Sequence, residues 1–187
     1  MQSKYKFIGK LNPSLEYVIP FYLIRPDINN GPWVAGSSVK QLLTNGIVET
    51  DYDVFFSSQE QLENTKKLLD KNNYVNYSMT TSNSYTYNLY TENMEFTIQL
   101  IAKEFFKTYV DVLDAFDFVQ SQLLTDGYIV IGNTEWQSKS LILENFFKDG
   151  ILKRLIKYYS YGYDISPEIY EKIRNNELKE DFSNDDY

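Results

Sequence analysis

Asp51-Tyr52-Asp53 is the place in this 187-residue chain where residue types and spacing could do chemistry. Strand side chains alternate with period two, so both carboxylates point to one face, a few ångströms apart. Two unpaired carboxylates that close repel each other. A hard divalent cation, Mg2+ or Mn2+, is their natural neutraliser. Upstream, the apolar run Trp33-Val34-Ala35 leads into Gly36-Ser37-Ser38. Val39, Leu42 and Leu43 follow at helical spacing, and Asn45-Gly46 closes the segment. That order predicts a strand, a tight turn of small residues and a short helix. Backbone amides at such a turn can approach a phosphate, and the helix N-terminus adds a favourable dipole. A phosphate cradle beside metal-binding carboxylates is the equipment of phosphoryl or nucleotidyl transfer.

Composition narrows the chemistry further. The chain is 43% hydrophobic and 24% charged, with 18 Lys and Arg against 26 Asp and Glu, a net charge of −8. It has no histidine and no cysteine. Serine–histidine and cysteine–histidine nucleophilic pairs are therefore excluded, and the usual zinc sites have no ligands. Disulfides are excluded too, which fits a reducing interior. Proton and metal work falls to carboxylates, Lys and Tyr. The acidic balance argues against broad, sequence-blind DNA or RNA binding, which needs a cationic surface. The first six residues hold no secretory apolar core, and the longest apolar stretches, such as 17–24, are too short to span a bilayer. A cytoplasmic protein with no membrane partner is expected. The abundance of Asn, Lys, Ile and Tyr suggests an AT-rich genome, hence a bacterial or phage-infected cell.

The elements that must position the carboxylates read as α+β. Residues 5–8 and 17–24 look extended, with Pro13 and Pro20 limiting helix, and 27–32 form a turn cluster. A strand is predicted over 50–56. The capping pattern Ser58 with Gln61 starts a helix that runs to about Asp70 and carries Leu62 and Leu69 inward. Residues 73–79 and 84–91 form a hairpin across 80–83. A strand over 94–102 puts Met94, Phe96, Ile98 and Leu100 on one face and Glu95, Thr97 and Gln99 on the other. Further on come a short helix over 111–114, an extended Phe116-Asp117-Phe118 and a brief strand over 128–131. Helices are predicted near 137–147, 150–160 and 167–178. The organisation expected is a sheet domain over 1–132, a helical extension over 133–178 and an acidic, fraying tail over 179–187. The helix carrying Lys153 to Tyr159 is amphipathic, and its Arg154 and Lys157 are the cations best suited to hold a base or a phosphate.

The stretch from Trp33 through Gly36-Ser37-Ser38-Val39-Lys40-Gln41 to Leu43, then Asp51-Tyr52-Asp53-Val54, resembles the head of the DNA polymerase beta-like nucleotidyltransferase superfamily. The flanking Val39-Lys40 and Leu42-Leu43 look most like the tRNA CCA-adding and poly(A) polymerase branch. The resemblance implies a nucleotidyltransferase-like mixed sheet flanked by helices, with a small helical region after it. It implies that Gly36, Ser37, Ser38 and Lys40 bind a nucleoside triphosphate and that Asp51 and Asp53 hold two metal ions. The activity implied is ATP- or other NTP-dependent transfer of a nucleoside monophosphate to a hydroxyl, either an RNA 3′ end, as in RNA processing, or a protein side chain. A third carboxylate would serve the attacking hydroxyl. Glu95 is the candidate, unless the register places Gln99 there, which would leave a nucleotide-binding or regulatory module without transfer.

Overall fold

The computed structural model describes residues 4–12, 15–92, 94–145 and 150–175. In chain order, β1 (Tyr5–Lys10) and α1 (Leu15–Ile24) precede β2 (Trp33–Ala35), α2 (Ser37–Thr44), β3 (Tyr52–Phe56) and α3 (Gln59–Asp70). The hairpin β4 (Val75–Thr80) and β5 (Ser84–Tyr90) leads into the long β6 (Glu95–Phe105) and α4 (Tyr109–Asp114). After a 3-10 turn at Val119–Ser121 come β7 (Leu123–Thr125), β8 (Ile129–Asn133), β9 (Ser140–Leu141), α5 (Ile151–Ser160), β10 (Asp164–Ile165) and α6 (Pro167–Arg174). Strands β1 to β8 form one sheet in the order β1-β8-β7-β2-β3-β6-β5-β4. Its strands pair antiparallel except β3 with β6, which run parallel. The architecture is α+β, a large mixed sheet flanked by helices.

Strand alternation sorts the two faces. On β3, Tyr52, Val54 and Phe56 are fully buried among Tyr17, Phe21, Leu62, Leu69 and Phe96, beneath α1 and α3. Each such side chain contributes roughly 1.5–3 kcal/mol relative to exposure, which fixes the register of β3. Asp53 and Phe55 are thereby forced onto the opposite face, where Trp33, Ala35, Phe106, Val112 and Leu113 form a second cluster with α4. Phe118, Leu141, Ile151, Leu155 and Ile169 make a third cluster that gathers α5 and α6. The α3 cap forms as the sequence predicts on one side only: Ser58 Oγ accepts from Gln61 N–H, while Gln61 Oε1 accepts from Ser57 N–H.

Two local expectations are corrected. Residues 17–24 are helical, within α1, despite Pro20. Tyr17, Phe21 and Ile24 recur at helical spacing and are buried against the sheet. That burial outweighs both the strand propensity of the segment and the lost backbone donor. Residues 137–145 are not helical. Gln120 donates through Nε2 to the carbonyls of Ser138 and Ser140 and accepts from Ile142 N–H, taking the backbone groups a helix would use. β9 instead pairs parallel with β10. In Phe116-Asp117-Phe118, Phe118 is extended (φ −118°, ψ 137°) and bridges to Leu143, without a strand of its own. The 179–187 tail lies outside the described residues, as do the last residues of the helices predicted over 137–147 and 167–178.

Candidate functional site

Gly36 links β2 to α2 with φ 90° and ψ −145°, a backbone that L side chains rarely adopt. Its N–H donates to Leu123 O at 2.9 Å. A Cβ there would sit 3.2 Å from Phe116 Cε1 and 3.6 Å from an Asp53 carboxylate oxygen. The turn, the aromatic ring and the carboxylate therefore border one another. Gly36 is the N-cap of α2 and no side chain caps that helix, so its first-turn amides keep their capacity for an external acceptor.

Asp53 pairs across the sheet with Ala35 on β2 and with Gln99 on β6. Asp51 precedes β3 by one residue and is exposed. The loop before it is tied back to α2: Gln41 Oε1 accepts from Glu49 N–H at 2.9 Å and lies 3.3 Å from Thr50 Oγ1. Thr50 Oγ1 also meets Ser37 Oγ at 3.3 Å. Gln41 thus sets how far the carboxylates stand from the small-residue turn.

These groups line a cavity of about 700 Å³, within the range of small-molecule sites. Ser37, Lys40 and Gln41 line it from α2, Asp51 and Asp53 from β3 and its approach, and Gln99 from β6. Phe116, Asp117 and Phe118 form another wall, and α5 with its following loop supplies Arg154, Lys157, Tyr158, Tyr161 and Tyr163. Tyr158 shares a very short hydrogen bond with Ser121 and packs on Phe118 at 4.8 Å. Arg154 Nε lies 2.6 Å from Asp117 Oδ2, an ion pair that fastens α5 to the sheet-side wall.

Electrostatics at the site are strained in favour of added positive charge. Burial, reinforced by Asp51, pushes the Asp53 carboxyl up to about 7, against the pull of Lys157. Asp51, though exposed, is likewise raised by partial desolvation, with Lys157 opposing. Lys40 is pushed down to about 8 by burial and lies 4.3 Å from the Tyr163 ring centroid. Two hard oxygen donors, both disfavoured as anions by desolvation and one of them by the other's charge, fit Mg2+ or Mn2+, which takes one or two carboxylates and fills its remaining positions with water and phosphate oxygens. Among the described residues no cluster of three carboxylates gathers, so a cation here leans on those other donors.

Ser37, Lys40, Asp51, Asp53, Arg154 and Lys157 are thus brought around one cavity, and Gly36 adjoins it next to Phe116 and Asp53. Two expected residues are not. Glu95 is exposed at the start of β6, paired with Tyr90, about 13 Å along the strand from Gln99 at 3.3 Å per residue. Parallel pairing of β3 with β6 puts Gln99 beside Asp53, so the carboxylate sought there is an amide. Ser38 is fully buried on the inner face of α2 and does not line the cavity. Asp117, Gln120, Tyr158 and Tyr163 belong to the lining. For Asp117 the flanking phenylalanines were the available signal. For Tyr163, the tyrosine cluster after the amphipathic helix was.

The fold and site define an α+β protein whose open cavity joins paired carboxylates to a helix N-terminus under a lid of cations and tyrosines. A family model described as Gad2, Gabija anti-defense 2 family protein, matches residues 14–130, and the chain belongs to that family. That finding corrects the resemblance to DNA polymerase beta-like nucleotidyltransferases and to the tRNA CCA-adding and poly(A) polymerase heads. The residues that carried the resemblance, 33–43 and 51–54, all lie within the Gad2 match. No curated protein matches the chain. Among the described residues no helix is long and apolar enough to cross a membrane. The match ends within β8, so Arg154, Lys157 and the cavity tyrosines come from outside it.

Proposed function

We propose that the cavity binds a nucleoside triphosphate together with Mg2+ or Mn2+ and transfers its nucleoside monophosphate to a hydroxyl on an RNA 3′ end or a protein. This activity would serve the anti-defence role that the family name carries, in a phage-infected bacterial cell. The observation that supports the reading is the convergence of Asp51, Asp53, the uncapped N-terminus of α2 and the cations Lys40 and Lys157 on one cavity. The nucleotidyltransferase-like arrangement expected of the sheet is part of this reading at the level of site geometry: a strand, a small-residue turn and a helix, then a carboxylate pair on the neighbouring strand.

Each group has a task under this reading. The Ser37 turn and first-turn amides receive phosphate oxygens, and the α2 dipole favours their charge. Lys40 and Lys157 offset the negative charge of the polyphosphate from two sides. Asp51 and Asp53 would hold the cation, which when bound supplies charge neutralisation at the transferred phosphoryl group and at the departing pyrophosphate. Tyr158 and Tyr163 offer ring faces to a base.

A second reading, nucleotide binding without transfer, is favoured by Gln99 in the place where a carboxylate could accept the acceptor's proton. One experiment separates the two. Purified protein is mixed with each α-labelled NTP and Mg2+ or Mn2+, with total RNA, a protein lysate and the protein itself as acceptors. The Asp51→Asn, Asp53→Asn double variant is the control. Label moving only with wild type supports transfer; metal-dependent NTP binding without transfer supports the second reading. Equal labelling by the double variant would remove the metal site from the proposal.

A further inference from the structure

The reaction centre proposed above holds an amide and an aromatic ring where an acceptor hydroxyl would need a base. Gln99 is the register partner of Asp53 on β6 and lines the cavity, with its Nε2 donating to Ser84 Oγ at 3.3 Å. An amide side chain accepts no proton at neutral pH. The other carboxylates of the cavity do not replace it. Asp117 is engaged by Arg154 at 2.6 Å, and Glu49 stands exposed on the loop that Gln41 anchors. Against Asp53 and Gly36 lies Phe116, whose ring stacks edge-on with Phe55 at a centroid distance of 5.6 Å. Beside Gly36 and Asp53 the cavity wall therefore presents an aromatic ring.

We infer that the acceptor at this site is the phenolic hydroxyl of a protein tyrosine, seated against Phe116 and needing no carboxylate base. The inference rests on the transfer reading above. A tyrosine hydroxyl has an ordinary pKa near 10, so a fraction of about one in a thousand is phenolate at pH 7 without any help. Ribose and serine hydroxyls are weaker acids by several orders of magnitude and depend on a positioned base. In the step itself the phenolic oxygen attacks the α-phosphorus, a new P–O bond forms, and the bond from the α-phosphorus to the bridging oxygen breaks. Pyrophosphate leaves with that electron pair, and the phenol's proton goes to water. The product is a tyrosyl-O-nucleoside monophosphate. An edge-to-face or offset pair between the tyrosine ring and Phe116 would orient the acceptor.

The test uses the full chain with an equimolar mixture of α-labelled NTPs and Mg2+ or Mn2+. Acceptors are a Gly-Tyr-Gly peptide, a Gly-Ser-Gly peptide and an RNA oligonucleotide with a free 3′ hydroxyl. Transfer to the tyrosine peptide should exceed transfer to the other two by at least a hundredfold. Tyrosine peptides made more acidic by ring fluorination should react faster at pH 7. Gln99→Glu should raise transfer to the serine peptide or the RNA by tenfold or more. Independently of turnover, saturation-transfer NMR should show N-acetyltyrosinamide contacting wild type and losing that contact in Phe116→Leu, whereas N-acetylserinamide shows none. Label fixed on the protein itself should map to tyrosine by fragmentation. Equal or better transfer to the RNA or serine, or self-labelling on Ser or Thr, overturns the tyrosine assignment and leaves the transfer reading standing. Metal-dependent NTP binding with no labelled acceptor overturns both transfer and this inference, leaving the binding reading. No metal-dependent NTP binding sinks all three.

Discussion

Asp53 and Gln99 face each other across the one parallel strand pairing of the large sheet. That single register relation sets the acid–base character of the cavity: a carboxyl raised by burial on one strand, an amide without basicity on the next.

Asp53 should make the folded protein less stable as pH rises. Its folded value is about 7 against an unfolded value near 3.9, so between those limits the native state holds a proton that the unfolded chain has released. Stability therefore falls from pH 4 to pH 7 and the deficit is complete above 7. Asp53→Asn should match wild type near pH 4 and exceed it at pH 8 by about 1–3 kcal/mol in urea denaturation without metal. Mg2+ should close the gap by stabilising wild type alone. An Asn variant no more stable than wild type at pH 8 contradicts the buried, repelled carboxylate.

Lys40 carries the opposite sign. Burial lowers it to about 8 from 10.5, so between those values the unfolded chain binds the extra proton and stability rises with pH. Lys40→Met should abolish that rise and weaken NTP binding about tenfold, roughly 1.4 kcal/mol. At pH 8.5, wild-type NTP binding should take up a proton, measurable by calorimetry in two buffers of different ionisation enthalpy. The Met variant should take up none.

The ion pair of Arg154 with Asp117 holds α5 over the cavity. Arg154→Ala strands an Asp117 side chain that is only 10% exposed, and should cost about 2–3 kcal/mol in urea denaturation. Arg154→Lys should recover part of that, since an ammonium keeps the charge but not the planar donor set. A cost below 0.5 kcal/mol would mean that α5 is held by its apolar face alone.

Gly132 allows β7 and β8 to meet. A Cβ there would fall onto the Gln122 carbonyl and lie 2.5 Å from Leu123 Cδ2, and neither backbone nor buried leucine can step aside. Gly132→Ala should destabilise by about 3 kcal/mol, visible as a lower Tm and as faster amide exchange at Leu123 and Leu124. Unchanged exchange at those amides would show that the strands separate without penalty.

The sequence made the carboxylate pair, its strand and the turn before it legible because each rests on a local rule. Tyr52, Val54 and Phe56 alternate with Asp51 and Asp53, and Gly36 followed by a periodic apolar run marks a turn into a helix. The hairpin and α3 were legible for the same reason. What escaped were features decided by distant partners. Gln99 rather than Glu95 flanks Asp53 because of how β6 slides along β3, a shift that leaves the alternation of β6 unchanged. Residues 137–145 have helical spacing, but the buried Gln120 claims their backbone. Tyr17, Phe21 and Ile24 lie at helical spacing, but Pro20 and the β-branched and aromatic residues around them favoured an extended reading that burial against the sheet overrides. Ser38 sits next to Ser37 in sequence, and the turn of α2 sends its hydroxyl inward.

β1 closes one edge of the sheet by pairing Tyr5 with Asn133, a partner from the far end of the sheet-forming sequence. During synthesis, at about 5–20 residues per second, Tyr5–Lys10 leaves the ribosome on the order of ten seconds before Ile129–Asn133 exists. Through that interval the first strand has no β8 to pair with. The strand that carries Asp53 is thus synthesised well before the partner that closes the outer edge. The cavity wall supplied by α5 and its cations is the last part of the site to be made.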